Sequence, residues 1–262
     1  MTNLSLRPSR RQILAGAGGA ALLATAPAFG KPDLLAGKRP KQIWGPRVDT
    51  QGLPDLFAPQ KVESRQVVDG GIDHLGLHSV DVFEIPRFGA GIFEVQFNGY
   101  FQVARANPTL PDGSVPLKST GTPLPWNNFR VQVNIIDLRL HGEHPELGPI
   151  HVRLNQDIVS VGEIFAAKSG EEDAQCRIAT AATFDVPNAG VKLFNKEPIL
   201  LMNNHVVSIP PVNDPSGQAL LYKLPLFAFD DPDGMPFGYL TSLKYGADHY
   251  LTPLQVKAIK EG

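Results

Sequence analysis

One cysteine in 262 residues means that no disulfide can close within the chain, so its core must be held by packing alone. An excess of one charge is also missing. Lys and Arg total 24 against 26 Asp and Glu, a formal net charge of −2, which excludes the basic footprint of a nucleic-acid binder. The uncharged stretch from Ile13 to Ala28 is only 16 residues and rich in glycine, short of the roughly 20 that a spanning helix needs. The local signatures of common catalysis are absent too: there is no G-x-S-x-G, S-x-x-K, H-E-x-x-H, P-loop or G-x-G-x-x-G. Glycine and proline, by contrast, are plentiful at 25 and 24 residues, about a fifth of the chain. That is above ordinary usage but below the roughly 25–30% of low-complexity sequence. The composition implies a folded, turn-rich domain.

The N-terminus carries an address. Ser9-Arg10-Arg11-Gln12-Ile13-Leu14 is followed by a small, uncharged stretch and then by Ala26-Pro27-Ala28, an A-x-A cleavage pattern. Residues 1–28 resemble the twin-arginine (Tat) signal peptides of exported bacterial proteins, with Arg10 and Arg11 as the arginine pair and cleavage after Ala28. The resemblance implies the Tat translocase as a partner during export and a periplasmic or extracellular destination. It also implies a passenger that crosses already folded, which raises the expectation of a bound metal or cofactor. No cysteine lies near the cleavage point, so a stable membrane anchor is not expected. Cleavage removes Arg7, Arg10 and Arg11 but no acidic residue, leaving a formal charge of −5.

Residues 29–60 hold Pro32, Pro40, Pro46, Pro54 and Pro59 with little periodicity and read as an extended arm, with Trp44 and Phe57 as its packing residues. From residue 61 to 262 a single domain is expected, dominated by every-other-residue apolarity. Phe93, Val95, Phe97, Phe101 and Val103 alternate with Glu94, Gln96, Asn98 and Gln102, the mark of a strand buried on one face. In Phe129 to Leu140 the phase slips. Val131, Val133 and Ile135 give way to Ile136, Leu138 and Leu140, so one extra residue at Ile135–Ile136 predicts a β-bulge. Further strands are predicted at 62–68, 74–85, 150–154, 176–186, 199–209, 220–229 and 237–245. Their spacing, without intervening helical patterns, predicts an all-β fold, an antiparallel sandwich or barrel with long Pro/Gly-rich loops. One helix is predicted near Pro253 to Lys260, with Thr252 and Gln255 forming a capping box and Leu251 stapled to Val256. The Pro-rich segment from Ala106 to Asn128 is long enough for a lid or binding loop, or for an ordered crossover.

Candidate chemistry is sparse. His74 and His78 would lie about 13 Å apart on a strand, at roughly 3.3 Å per residue, too far to share one ion. His141, His144 and His151 are better placed. If the strands ending at Leu140 and beginning at Ile150 form a hairpin, His141 opposes His151, and His144 or Glu143 offers a third ligand. Such a set suits zinc or copper; the bland alternative is a solvated hairpin end. Asp230, Asp231 and Asp233 precede Gly234 in a weaker calcium pattern that is also ordinary turn chemistry. Cys176 alternates with Ile178, Thr180, Ala182 and Phe184 and reads as a buried, inert thiol, with no His and Met close behind it for a blue-copper site. Trp126, Tyr100 and Tyr239 are scattered aromatics that a sugar platform would use.

The resulting expectation is an exported, non-catalytic binding or envelope-interaction module. The alternatives are a zinc- or copper-dependent enzyme built on His141, His144 and His151, and a calcium-stabilised carbohydrate-binding or hydrolytic domain.

Overall fold

The protein is described by a computed structural model covering residues 42–43, 45–57, 66–67, 69–87, 91–110, 124–125, 129–166, 173–207, 209, 216–220 and 223–261. The arginine pair, the cleavage site, Trp44, Trp126 and most of the Ala106–Asn128 loop lie outside the described residues. Among the described residues, sixteen strands, one 3₁₀ turn (Pro187–Ala189) and one α-helix follow in order. The arm carries β1 (Gln42–Ile43) and β2 (Asp55–Leu56), and β3 (Gln66–Val67) follows. Then come β4 (Gly71–Glu84), β5 (Ile92–Arg105), β6 (Leu124–Pro125) and β7 (Arg130–His144). They are followed by β8 (Gly148–Leu154), β9 (Ile158–Phe165), β10 (Ala174–Thr180) and β11 (Ala182–Val186). Next are β12 (Val191–Asn195), β13 (Ile199–Val206), β14 (Ser216–Leu220), β15 (Leu224–Ala228) and β16 (Gly238–Tyr250), before α1 (Pro253–Glu261).

Of the two antiparallel architectures that the alternation allows, the barrel is the one formed. Four long strands, β4, β5, β7 and β16, run its full length. Four further staves are strand pairs interrupted midway: β8 with β9, β10 with β11, β12 with β13, and β14 with β15. Each stave pairs antiparallel with the next, and β16 returns to pair with β4 from Tyr239↔Glu84 to Tyr250↔Leu75, so the sheet closes as an eight-stave meander. Closure leaves no exposed edge, the liability of any open sheet. Sidedness follows from the pleat: Phe93, Val95 and Phe97 point inward and are buried, while Ile92, Glu94, Gln96 and Asn98 are exposed.

The slip expected in the sequence is present. On β7, Gln102 pairs with Asp137 but Val103 pairs with Ile135, so Ile136 is the inserted residue and both halves of the strand keep their apolar side inward. Glycine sets the curvature where β5 crosses β7. A Cβ on Gly99 would collide with the Arg139 carbonyl oxygen, so only glycine allows the approach. The β7–β8 hairpin turns at Gly148, whose φ of +71° lies in the left-handed region.

The helix packs outside the barrel. Thr252 N–H donates to Gln255 Oε1 at 2.8 Å and Gln255 N–H donates back to Thr252 Oγ1 at 3.3 Å, the reciprocal capping box. Leu251 and Val256 bury themselves with Tyr100 in a small outer cluster that Phe57 of the arm also joins. The arm is fastened elsewhere by β1 beside β9, β2 beside β4, and a 2.7 Å bond from Val48 N–H to Asn134 Oδ1. Among the described residues, no helix is long and apolar enough to cross a membrane.

Candidate functional site

The two ends of the barrel interior are filled differently. Around the end formed by β8, β11, β12 and β15, Phe83 packs edge-on against Phe97 and Phe184, with ring centroids 6.3 and 5.5 Å apart. Toward the end formed by β9, β10, β13 and β14 the side chains do not meet, and a cavity of about 130 Å³ remains. At roughly 30 Å³ per water in the liquid, that is room for about four of them. Its walls are almost wholly apolar, with Leu77, Phe101, Ile135, Ile178, Leu201 and Leu243 representative.

Polar groups enter this cavity in two places. At its end, Arg105 is fully buried and spends its guanidinium on Asp73: Nε donates to Oδ2 at 2.5 Å and Nη2 to Oδ1 at 3.2 Å. Nη1 donates to the Asp69 carbonyl at 3.2 Å, and the Tyr250 hydroxyl donates to Asp73 Oδ1 at 3.1 Å. This is a satisfied pair that plugs the barrel. Partway along, the arrangement is the opposite. Ser79 and Asp81 project inward from β4 beside Leu243 and Tyr245 of β16, and Asp81 is 2% exposed. Apart from the approach of the Ser79 hydroxyl to the Asp81 carboxyl, Ser79 Oγ, Asp81 Oδ1 and Thr180 Oγ1 are buried without a hydrogen-bond partner, although buried polar atoms are nearly always satisfied. Burial pushes the Asp81 carboxyl up to about 7, with the neighbouring Ser79 hydroxyl pulling weakly the other way.

Cys176 also lines the cavity, and burial pushes its thiol up to about 12. A thiol held so firmly protonated is a poor nucleophile. Burial likewise raises Tyr245.

On the outer face, the hairpin register places His141 opposite His151, with their Nδ1 atoms 3.4 Å apart. The same cross-strand row continues through Asn98 on one side and Asp185 on the other. The third histidine is not part of it. His144 is an odd number of residues from His141, so the pleat turns it to the other face, where it packs edge-on against Phe93 at 5.2 Å and accepts the Glu146 N–H at 3.2 Å. Glu143 shares the face of His141 and pairs with Pro149. Among the described residues no group of three or more His, Cys, Asp or Glu is placed to hold a metal ion.

The remaining sequence candidates are scattered. His74 and His78 both lie on β4, and His74 is held beneath the arm: Gln102 Nε2 donates to its Nδ1 at 2.8 Å, its Nε2–H donates to Asp55 at 2.9 Å, and Phe57 stacks on its ring at 4.1 Å. Asp230, Asp231 and Asp233 are exposed in a turn, where Asp233 lies 3.7 Å from Lys196. Tyr100 is buried under α1 and donates to Asp137 at 2.5 Å, while Tyr239 is on a different stave, so the two do not form one platform. Asp81 and Ser79 belong to no motif that the sequence offers. A signal existed: Ser79 and Asp81 interrupt the inward series Leu75, Leu77, Phe83.

A closed β-barrel with a mainly apolar cavity and a few convergent polar atoms defines a class of protein built around an interior pocket. Residues 31–257 match the DUF6073 family, a family of unknown function, and the chain belongs to it. The solved structure of DynF, from the dynemicin biosynthesis pathway of Micromonospora chersina, is similar to this chain. Its TM-score is 0.70 at 37% sequence identity, and 81% of this chain and 96% of that one are covered. No curated protein matches the chain.

Proposed function

We propose that this is an exported, non-catalytic binding protein that holds a small, mainly apolar molecule inside its barrel. The observation that carries the reading is the unfilled half of the interior: natural cores pack to the density of organic crystals, yet here about 130 Å³ stays open behind apolar walls. A void of that kind forfeits dispersion contacts, and a ligand restores them. The export half of the reading rests on Arg10, Arg11 and the Ala26-Pro27-Ala28 pattern. The family match begins at residue 31.

Titration with a neutral apolar fluorophore tests the binding half. Saturable one-to-one uptake is expected, reduced at least tenfold in Ala182→Phe, which fills the cavity from β11; absence of saturable uptake by the folded protein overturns the reading. For export, replacing Arg10 and Arg11 by lysine should leave the precursor inside the cell, and unchanged export would refute the signal. A second reading, a zinc- or copper-binding protein, has one observation behind it. Two ligand nitrogens on a tetrahedral ion with bonds of about 2.0–2.1 Å lie about 3.3 Å apart, close to the 3.4 Å between His141 and His151.

A further inference from the structure

We infer that Asp81 is the recognition carboxylate of the cavity, and that the ligand it selects is an apolar molecule carrying one protonated amine. The inference deepens the proposed binding role and rests on it. Three observations lead there. First, the cavity's unpartnered atoms are all able to accept hydrogen bonds: Asp81 Oδ1, Ser79 Oγ and Thr180 Oγ1. An ammonium head offers three donors and no acceptor, so it can donate to the Asp81 carboxylate and to the Ser79 oxygen beside it on β4, with Thr180 on another wall of the same cavity.

Second, the charges of the wall do not balance when Asp81 is ionised. Arg105 is the one cation among the described lining residues, and Asp73 occupies it through two hydrogen bonds. Nothing in the lining is left to neutralise Asp81, so an incoming cation completes the site and an incoming carboxylate is repelled.

Third, the neighbours that face Asp81 across the sheet, Val95 on β5 and Leu243 on β16, are apolar. A charge there has no water to compete with a ligand. The other titratable groups facing the cavity are Asp73, Arg105, Cys176 and Tyr245. Of these, Asp73 and Arg105 are mutually paired, and burial keeps the thiol and the phenol neutral at ordinary pH.

Hexylamine, hexanol and hexanoate differ only in the head group and test the inference on the full mature protein by calorimetric titration. Hexylamine should bind at least tenfold tighter than hexanol at pH 8, with hexanoate weakest. In Asp81→Asn the preference for the amine should disappear while hexanol still binds. The wild-type protein supplies an independent readout. Between pH 8 and pH 6 a carboxyl titrating near 7 goes from mostly ionised to mostly protonated, so hexylamine affinity should fall about tenfold while that of hexanol holds. Equal binding of amine and carboxylate, or an amine preference that survives in Asp81→Asn, overturns the assignment of Asp81. Failure of all three compounds and of the neutral fluorophore to bind overturns the binding role itself.

Discussion

The two halves of the barrel interior are built from the same alternating pattern, yet one is solid and the other hollow. Where Phe83, Phe97 and Phe184 meet edge to face, aromatic volume reaches the barrel axis. Where Leu75, Leu77 and Ser79 take the corresponding inward positions on β4, the side chains are too short to span it. Side-chain volume thus decides whether an eight-stave barrel is a core or a container. Within the hollow half the polar groups differ in turn: the buried pair at the barrel's end is satisfied, and the buried carboxyl farther along is not.

Breaking the satisfied pair should cost as much as any truncation in the packed end. Arg105→Leu strands Asp73 as an uncompensated buried charge, and a loss of about 3–5 kcal/mol is expected, measured by urea unfolding. Truncation should then separate the halves. Phe97→Ala in the packed end should cost about 3–5 kcal/mol, whereas Leu77→Ala, whose side chain already faces open space, should cost about 1–2 kcal/mol because fewer contacts are lost. Equal losses would mean that the hollow end is filled in solution.

Asp81 sharpens the contrast through pH. Its folded value is raised to about 7 from 3.8, so between those values the folded state holds a proton that the unfolded state releases. Stability therefore declines as pH rises from about 4 to 7 and levels off above. Asp81→Asn should remove this decline and stabilise the protein at pH 8 by on the order of 2–4 kcal/mol, seen as unfolding midpoints that converge at pH 4. A variant no more stable than the wild type at pH 8 would show that Asp81 is solvated or paired.

How much of this was legible in the sequence depended on whether a residue's surroundings were local. The strand at Phe93–Val103, the bulge at Ile136 and the Thr252–Gln255 cap could be read because each is fixed by neighbours in sequence. The short strands β1, β2, β6 and β14 were not anticipated, and β9 and β12 were missed for a shared reason: both of their faces are covered. Val161 of β9 lies in an outer cluster with Ala179 and Ala181, and Phe194 of β12 packs edge-on outside against Phe229 at 5.0 Å, so neither segment alternates. The His141–His151 opposition was deducible from the hairpin, but the exclusion of His144 required counting the pleat through the turn. The cavity was not legible at all. Its lining comes from strands spread over the whole chain, and only closure through β16 and β4 brings Asp81 and Thr180 into one chamber.

The smallest stability effect belongs to the outer face, where solvent shares the contacts. His141 is exposed and His151 half-buried, so His141→Ala should change stability by no more than about 0.5 kcal/mol. Its consequence lies elsewhere, because two imidazoles 3.4 Å apart form a chelate that neither forms alone. Copper(II) or nickel(II) titrated into the wild-type protein should bind with micromolar affinity, water completing the coordination, and the His141→Ala and His151→Ala variants should each abolish it. His144→Ala should leave binding intact, because the pleat has turned that ring onto Phe93. Nanomolar retention that needs His144 would place all three rings on one ion and so require a hairpin register different from His141↔His151. Inside the barrel the buried Asp81 carboxyl ties stability to pH, whereas on its surface a pair of histidines can be removed with only the metal to report the loss.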